Sequence, residues 1–289
     1  MSNIEKYENL VIGSGGSGKF IAWTEADAGH RTAMVERWLL GGACPNVACL
    51  PSKNIVYSAK VISLARRGAE FGLKTESMSV DMMSVDMKTV QRRKRTMVEG
   101  LHQMHADRTA ASGAELIMGN ARFVGPRTVE IDLKSGGKRS ISADRVFLDL
   151  GSRAAMPEIP GLRAANPMTH VEVLDLERLP QHLIVLGGGY VGLELSQAMR
   201  RLGAQVTVIE AGPQLASRED PDVGAALLDL FVGEGIEVLL DTEVRQVDGR
   251  SSDRVRVNVN TGNGKRTSKV PTFWSRRAGK RTPTESISS

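Results

Sequence analysis

The chain has 289 residues, 41% apolar and 25% charged, with a formal net charge of +5. That length allows two domains of ordinary size, and the composition excludes a disordered tail protein and a small secreted disulfide scaffold. No apolar run approaches the roughly 18 residues of a membrane helix, and Met1–Lys6 enters a strand pattern with no leader-like n-region, so a cytoplasmic protein without signal peptide or membrane contact is expected.

The first predicted element is the apolar run Asn9-Leu10-Val11-Ile12. It opens into Gly13-Ser14-Gly15-Gly16-Ser17-Gly18, a G-x-G-x-x-G turn. A helical stretch from Lys19 to Gly29 follows, then a second strand, Thr32-Ala33-Met34-Val35-Glu36. This is the order of a dinucleotide-binding βαβ unit. Gly13 permits the tight turn, Gly15 lets a pyrophosphate approach the backbone, and Gly18 lets helix pack on strand. The helix N-terminus offers N–H groups to phosphate, and Glu36 is placed to accept from ribose hydroxyls.

Next comes Gly41-Gly42-Ala43-Cys44-Pro45-Asn46-Val47-Ala48-Cys49-Leu50-Pro51-Ser52-Lys53-Asn54. Helical periodicity starts near Pro51, a residue well tolerated in a first turn. Cys49 is then expected just before a helix N-terminus, with Lys53 about one turn on. Dipole and lysine both favour thiolate. Two thiols in a leaderless chain suggest redox chemistry or metal binding rather than a structural staple. C-x4-C without a nearby histidine is poor zinc spacing, so no metal site is assigned, and two inert thiols are the bland alternative.

Residues 85–112 read as a helix carrying Arg92-Arg93-Lys94-Arg95, taken as a solvated face rather than a nucleic-acid contact. His102 and His105 on it lack a third ligand for metal. Six methionines between 78 and 104, and the repeat of Ser79-Val80-Asp81-Met82 as Ser84-Val85-Asp86-Met87, read as packing filler and a local duplication. Ser152 to Leu162, with Pro157, Pro160 and Gly161, breaks the pattern.

Then the first unit recurs. Leu183-Ile184-Val185-Leu186 opens into Gly187-Gly188-Gly189-Tyr190-Val191-Gly192, a helical stretch runs from Leu193 to Gly203, and Val206-Thr207-Val208-Ile209-Glu210 follows. Gly13, Gly15, Gly18, Gly29 and Glu36 map onto Gly187, Gly189, Gly192, Gly203 and Glu210 at a single offset of 174. Two complete fingerprints in one register are a strong signal for an α/β fold of two Rossmann-like dinucleotide-binding domains with central parallel sheets. Glu210 would repel a 2′-phosphate, so NAD is favoured over NADP there.

The C-terminal region continues through Ile236-Glu237-Val238-Leu239-Leu240 and the strand pattern Val255-Arg256-Val257-Asn258-Val259. A further apolar strand is then expected, and Pro271-Thr272-Phe273-Trp274-Ser275-Arg276-Arg277 stands instead. From residue 264 on there are seven lysines and arginines against Glu285, leaving the rest with 31 bases against 32 acids. The basic charge is therefore a property of the tail, and no nucleic-acid partner is inferred from it.

The motif Gly-Gly-x-Cys-x-Asn-x-x-Cys-x-Pro-Ser-Lys resembles the redox motif of the class I pyridine nucleotide–disulfide oxidoreductases. That family includes dihydrolipoamide dehydrogenase, glutathione reductase and mercuric reductase. The resemblance covers residues 8 to about 260 and implies an FAD/NAD(P)-binding fold. It implies residues 1–150 as an FAD-binding domain with a redox-active cysteine pair and no closing segment, then 151–270 as an NAD(P)-binding domain. Residues 271–289 are expected to form a basic tail, read as an out-of-frame or truncated end, without the dimer-interface domain of the homodimeric family. Ser152 to Leu162 looks like the family's link between nucleotide domains.

By resemblance, Gly13, Gly15, Gly18 and Glu36 hold FAD, Gly151 joins that cofactor set, and Gly187, Gly189, Gly192 and Glu210 hold NAD. Cys49 is the thiol next to the flavin and Cys44 the one that exchanges with substrate. Lys53 matches the family lysine beside the flavin and pairs with Glu194. Tyr190 matches a residue that in some members covers the flavin, its alternative being a packed core aromatic. Ala43, Pro45 and Ala48 make the motif more like the mercuric-reductase-like branch. The implied activity is electron transfer from NAD(P)H through FAD to the cysteine pair, then to a small-molecule or protein disulfide or a metal acceptor, or the reverse. Two further readings are a flavin-binding pseudoenzyme fragment and an NADH-dependent reductase of quinone, metal or oxygen that bypasses the cysteines.

Overall fold

In the computed structural model, the described residues are 4–73, 84–251, 253–261, 264–270, 273–275 and 277–281, with backbone alone from 264 onward. The first fingerprint becomes β1 (Ile4–Ile12), α1 (Gly18–Asp27) and β2 (Thr32–Glu36). The cysteine segment forms the short α2 (Ala43–Asn46) and opens α3 (Cys49–Arg66). Then come α4 (Met87–Ser112), β3 (Glu115–Gly125), β4 (Thr128–Leu133), β5 (Lys138–Leu148), β6 (Ser152–Ala155) and α5 (His170–Leu174). The second fingerprint gives β7 (His182–Leu186), α6 (Tyr190–Leu202) and β8 (Gln205–Ile209). It is followed by α7 (Pro221–Gly233), β9 (Glu237–Leu239), β10 (Thr242–Gly249), β11 (Val255–Thr261), β12 (Gly264–Val270) and β13 (Phe273–Ser275).

Two units result. One comprises Met1–Pro51, Arg95–Arg153 and Lys280–Ser289, the other Ser52–Lys94 and Ala154–Gly279. The division departs from a single boundary at 150. Ile55, Ala59, Met87 and Val90, from α3 and the start of α4, lie in one buried cluster with Leu183, Val185, Leu195 and Val208. Apolar burial of these side chains, rather than chain order, assigns residues 52–94 to the second unit.

In the first unit, β1 pairs in parallel with β2 on one side and β5 on the other. The 11-residue strands β3 and β5 each serve twice. Glu115–Met118 of β3 pairs in parallel with β2, while Gly119–Gly125 pairs antiparallel with β4. β5 pairs with β4 through Lys138–Ser142 and with β1 from Ser140 to Leu148. The five strands thereby close on themselves. The parallel layer was legible in the sequence, and the ring closure through β4 was not. Tyr7, Leu10, Val35, Ile117, Ile131 and Ile141 fill the cluster inside.

A polar cluster secures one end of this sheet. Arg139 of β5 donates to both carboxylate oxygens of Glu5 at 2.8 and 2.6 Å and to Glu115 at 2.7 Å, and the Tyr7 hydroxyl donates to Glu115. The bond from Arg139 holds the Glu5 carboxyl below its usual range. Burial would raise Glu115, but the bonds from Arg139 and Tyr7 carry it below as well. Carboxylates held low contribute stability above the ordinary carboxylate range, and that contribution is lost as pH falls through their folded values. We expect Arg139→Met to cost about 1 kcal/mol at neutral pH, exposure limiting the figure. The variant should also lose less stability than the parent on acidification below about pH 4.5. Thermal melts across pH 3–7 test this, and parallel curves for the two proteins would refute it.

The second unit contains the sheet β13-β7-β8-β9 and the antiparallel sheet β10-β11-β12. In the first, β7, β8 and β9 run parallel, and Phe273–Ser275 pairs in parallel with Ile184–Leu186. The strand missing from the sequence pattern is thus supplied by three residues of the expected tail. Pairing with an open edge needs only backbone groups, so composition did not reveal it. Thr282–Ser289 and the repeated segment 79–82 lie outside the described residues. No helix among the described residues is long and apolar enough to cross a membrane.

Candidate dinucleotide and cysteine sites

The two fingerprints share hydrogen bonds as well as glycines. The Gly13 N–H donates to Val35 O at 2.8 Å, and the Gly187 N–H to Ile209 O at 2.8 Å. Glu36 accepts from the Ser14 N–H at 3.0 Å and the Trp38 N–H at 2.7 Å. Glu210 accepts from the Gly188 N–H at 2.6 Å and the Gly212 N–H at 2.8 Å. Each pair is related by the same offset of 174. Both acids are thus held at the strand end by the loop they face, with lone pairs left over for ribose hydroxyls.

Close approach explains the third glycines. A Cβ on Gly18 would stand 2.2 Å from the Gly13 carbonyl oxygen, and one on Gly192 would stand 2.4 Å from that of Gly187. Gly189 is different, because a Cβ there would meet nothing within 4 Å. Packing inside the unit does not require glycine at this position. The open space fits the approach of a pyrophosphate to the backbone at the start of α6. In the first unit Gly15 faces the Asp149 side chain, which accepts from the Gly18 N–H at 2.7 Å at the start of α1. Asp149 was not singled out in the sequence, where only Gly151, in a left-handed turn at φ +66°, was noted nearby.

The cysteine segment is clipped to the first fingerprint. The Gly41 N–H donates to Ser14 Oγ at 2.9 Å, and Ser14 Oγ donates to Glu36 at 2.6 Å. Gly42 lies so near the glycine turn that a Cβ would stand 2.6 Å from the Gly15 Cα. Buried Asn46 donates to the Leu40 and Gly42 carbonyls at 2.9 and 2.7 Å, shaping the turn. Cys44 lies in α2, and Cys49 is the first residue of α3, two positions before the expected helix start at Pro51. Proline lacks only an N–H that the first turn does not use, so it marks a first turn and not its first residue.

Both thiols are exposed, and Cys44 is hydrogen-bonded to Cys49. Although Cys44 reaches solvent, desolvation by the packed turn pushes its thiol up, and the bond and charge of Cys49 add to this. Lys19 acts in the opposite sense. Lys19 escaped the sequence reading. Its signal was a lysine in the first turn of a helix, where the dipole disfavours a cation.

In the second unit, Lys53 of α3 donates to Glu194 of α6. Tyr190 opens α6 and is 56% exposed, which removes the packed-core alternative. Its hydroxyl donates to Glu219 at 2.5 Å, and that bond raises the phenol. His105, one of the two histidines set aside as metal ligands, is buried and stacked on Trp23 with ring centroids 5.9 Å apart.

Comparison with known proteins agrees with this geometry. The chain is 34% identical over 242 residues to a mercuric reductase of Streptomyces lividans, covering 83% of this chain and 50% of that protein. It is 29% identical over 258 residues to a dihydrolipoyl dehydrogenase of Chlamydia muridarum, covering 89% of this chain and 54% of that one. Among solved structures, the HOCl-induced flavoprotein disulfide reductase RclA from Escherichia coli, in a Cu(II) complex, superposes with a TM-score of 0.81 at 25% identity. That match covers 96% of this chain and 57% of RclA. The chain spans about half the length of the curated relatives it matches. The profile of the pyridine nucleotide-disulphide oxidoreductases matches residues 7–275. With paired βαβ cradles and a cysteine pair clipped to the first of them, the chain belongs to the pyridine nucleotide-disulphide oxidoreductase family, whose cofactors are FAD and NAD(P).

Proposed function

We propose that the chain is the nucleotide-binding part of an FAD-dependent oxidoreductase that carries electrons from NADH to the Cys44–Cys49 pair and on to a disulfide or metal acceptor. The observation that carries this reading is the clip between the Gly41–Gly42 turn and the glycine loop through Ser14. It places the cysteine turn against the loop that would cradle FAD. Gly13, Gly15, Gly18 and Glu36 would hold that group, and Gly187, Gly189, Gly192 and Glu210 would hold the nicotinamide dinucleotide. When bound, FAD supplies two-electron transfer between nicotinamide and a disulfide.

The protein's own part is sulfur chemistry. Two electrons break the Cys44–Cys49 bond and leave two sulfurs with one proton to share. Cys44, exposed in its turn, attacks the acceptor disulfide as thiolate and displaces a thiolate that takes a proton from solvent. Cys49 then closes on Cys44 and releases the second thiol. Within the second unit, Lys53 of α3 and Glu194 of α6 form an ion pair. Glu210, held by two backbone N–H groups, supports NADH over NADPH, since a 2′-phosphate would face its carboxylate.

Anaerobic addition of NADH to the FAD-loaded chain, with thiols counted after an acid quench, tests the reading. Two new thiols per chain are expected. NADH oxidation without new thiols, unchanged in Cys44→Ser, would replace it with direct reduction of quinone, metal or oxygen.

A further inference from the structure

We infer that Lys19 is the fixed counter-charge of Cys44, a positioning residue that lowers the cost of ionising the exchanging sulfur. The inference rests on the reading of Cys44 as the exchanging thiol. It begins with a cation in a costly place. Lys19 is the second residue of α1, and its side chain is only 7% exposed. The positive end of a helix repels an ammonium, and burial strips its water. A buried ammonium persists where an anion offsets it.

Among the described residues, the hydrogen bond that Lys19 makes is to the Gly41 carbonyl at 3.4 Å, with no carboxylate in ion-pair range. One neutral, long bond leaves most of its donor capacity unused. That bond leads to the cysteine turn. Gly41 lies three residues before Cys44, and the turn is fixed by Ser14 and Asn46.

The groups around this point come from four elements. Cys49 of α3 is hydrogen-bonded to Cys44 and opposes a second negative charge beside its own. Burial pushes the Lys19 ammonium of α1 below its usual value, and the charges of Cys44 and of Asp149, which follows β5, act against this. Asp149 is already committed to the Gly18 N–H at 2.7 Å. His105 of α4 is buried, and desolvation followed by the Lys19 and His102 charges lowers it, so it stays neutral near pH 7. The cation acting on Cys44 is therefore Lys19. Ionisation releases the Cys44 proton to solvent and leaves a thiolate facing an ammonium that has no carboxylate within ion-pair distance among the described residues.

The test uses the full FAD-loaded chain carrying Cys49→Ser, in which Cys44 is the sole thiol because the sequence holds two cysteines. Iodoacetamide alkylation is followed against pH. In Lys19→Met the midpoint should rise by about one unit, making alkylation at pH 7 about tenfold slower. In Asp149→Asn, whose amide oxygen can still cap Gly18, the midpoint should fall. A purely structural role for Lys19 would change melting temperature and leave the midpoint in place. An unmoved midpoint in folded Lys19→Met overturns the inference. If that variant does not fold, an unmoved or raised midpoint in Asp149→Asn overturns it alone. Alkylation needs no turnover, so the profile is independent of whether Cys44→Ser abolishes NADH-driven disulfide reduction, which is the separate test of the function.

Discussion

Exchange of either Cys44 or Cys49 for serine is expected to lower NADH-driven disulfide reduction by about a thousandfold or more. The reason is chemical rather than structural. The chain holds two cysteines, so no other sulfur can complete the pair. A hydroxyl neither forms the bond that stores the two electrons nor attacks a disulfide at neutral pH. Both side chains are exposed, and the turn is shaped by Ser14 and Asn46 rather than by sulfur. FAD content and melting temperature should therefore stay close to those of the parent. Turnover in either variant above a tenth of the parent rate would show that electrons leave by another route.

The second large effect concerns Gly13. Its φ is +98°, and a Cβ there would stand 2.1 Å from the Asp149 carbonyl oxygen. The neighbour is backbone, fixed by the bond from the Asp149 N–H to Ile12 O at 2.8 Å, so it cannot swing aside. Gly13→Ala should cost about 3 kcal/mol or more and release FAD. Gly29 is the matched control, with φ +87° and nothing within 4 Å of an added Cβ. Gly29→Ala carries only the left-handed strain, about 1–2 kcal/mol. Urea melts and flavin absorbance compare the two. Equal destabilisation would mean that close packing against Asp149 contributes nothing.

What the sequence disclosed is what the backbone must do locally. The 174-residue repeat was visible because each glycine answers to a turn or a close approach a few residues away, and each acid to the loop beside it. The bonds of Glu36 and Glu210 to the same relative positions extend that repeat from letters to hydrogen bonds. The contact between Lys53 and Glu194 spans 141 residues and was named through family resemblance, since no periodicity could pair them. Asp149 and Lys19 were missed because each has a meaning only through partners folded against it. Asp149 caps a helix that starts 131 residues earlier. Lys19 stands in a first turn where the dipole disfavours a cation, but what it faces shows only once its burial is known. The assignment of 52–94 to the second unit, and of Phe273–Ser275 to its sheet, likewise depends on distant apolar and backbone partners.

The doubly paired first strand has a consequence for synthesis. β1 leaves the ribosome well before β5, yet its Ile4 pairs with Ser140 and its Ile12 with Leu148. At roughly 5–20 residues per second, about 7–27 seconds of elongation separate the strand from that partner. Through this interval Leu10, Val11 and Ile12, fully or nearly buried at the end, have β2 alone to pair with. Slowing translation should lower the soluble yield of the protein more than it does for one whose first strand pairs within a hairpin.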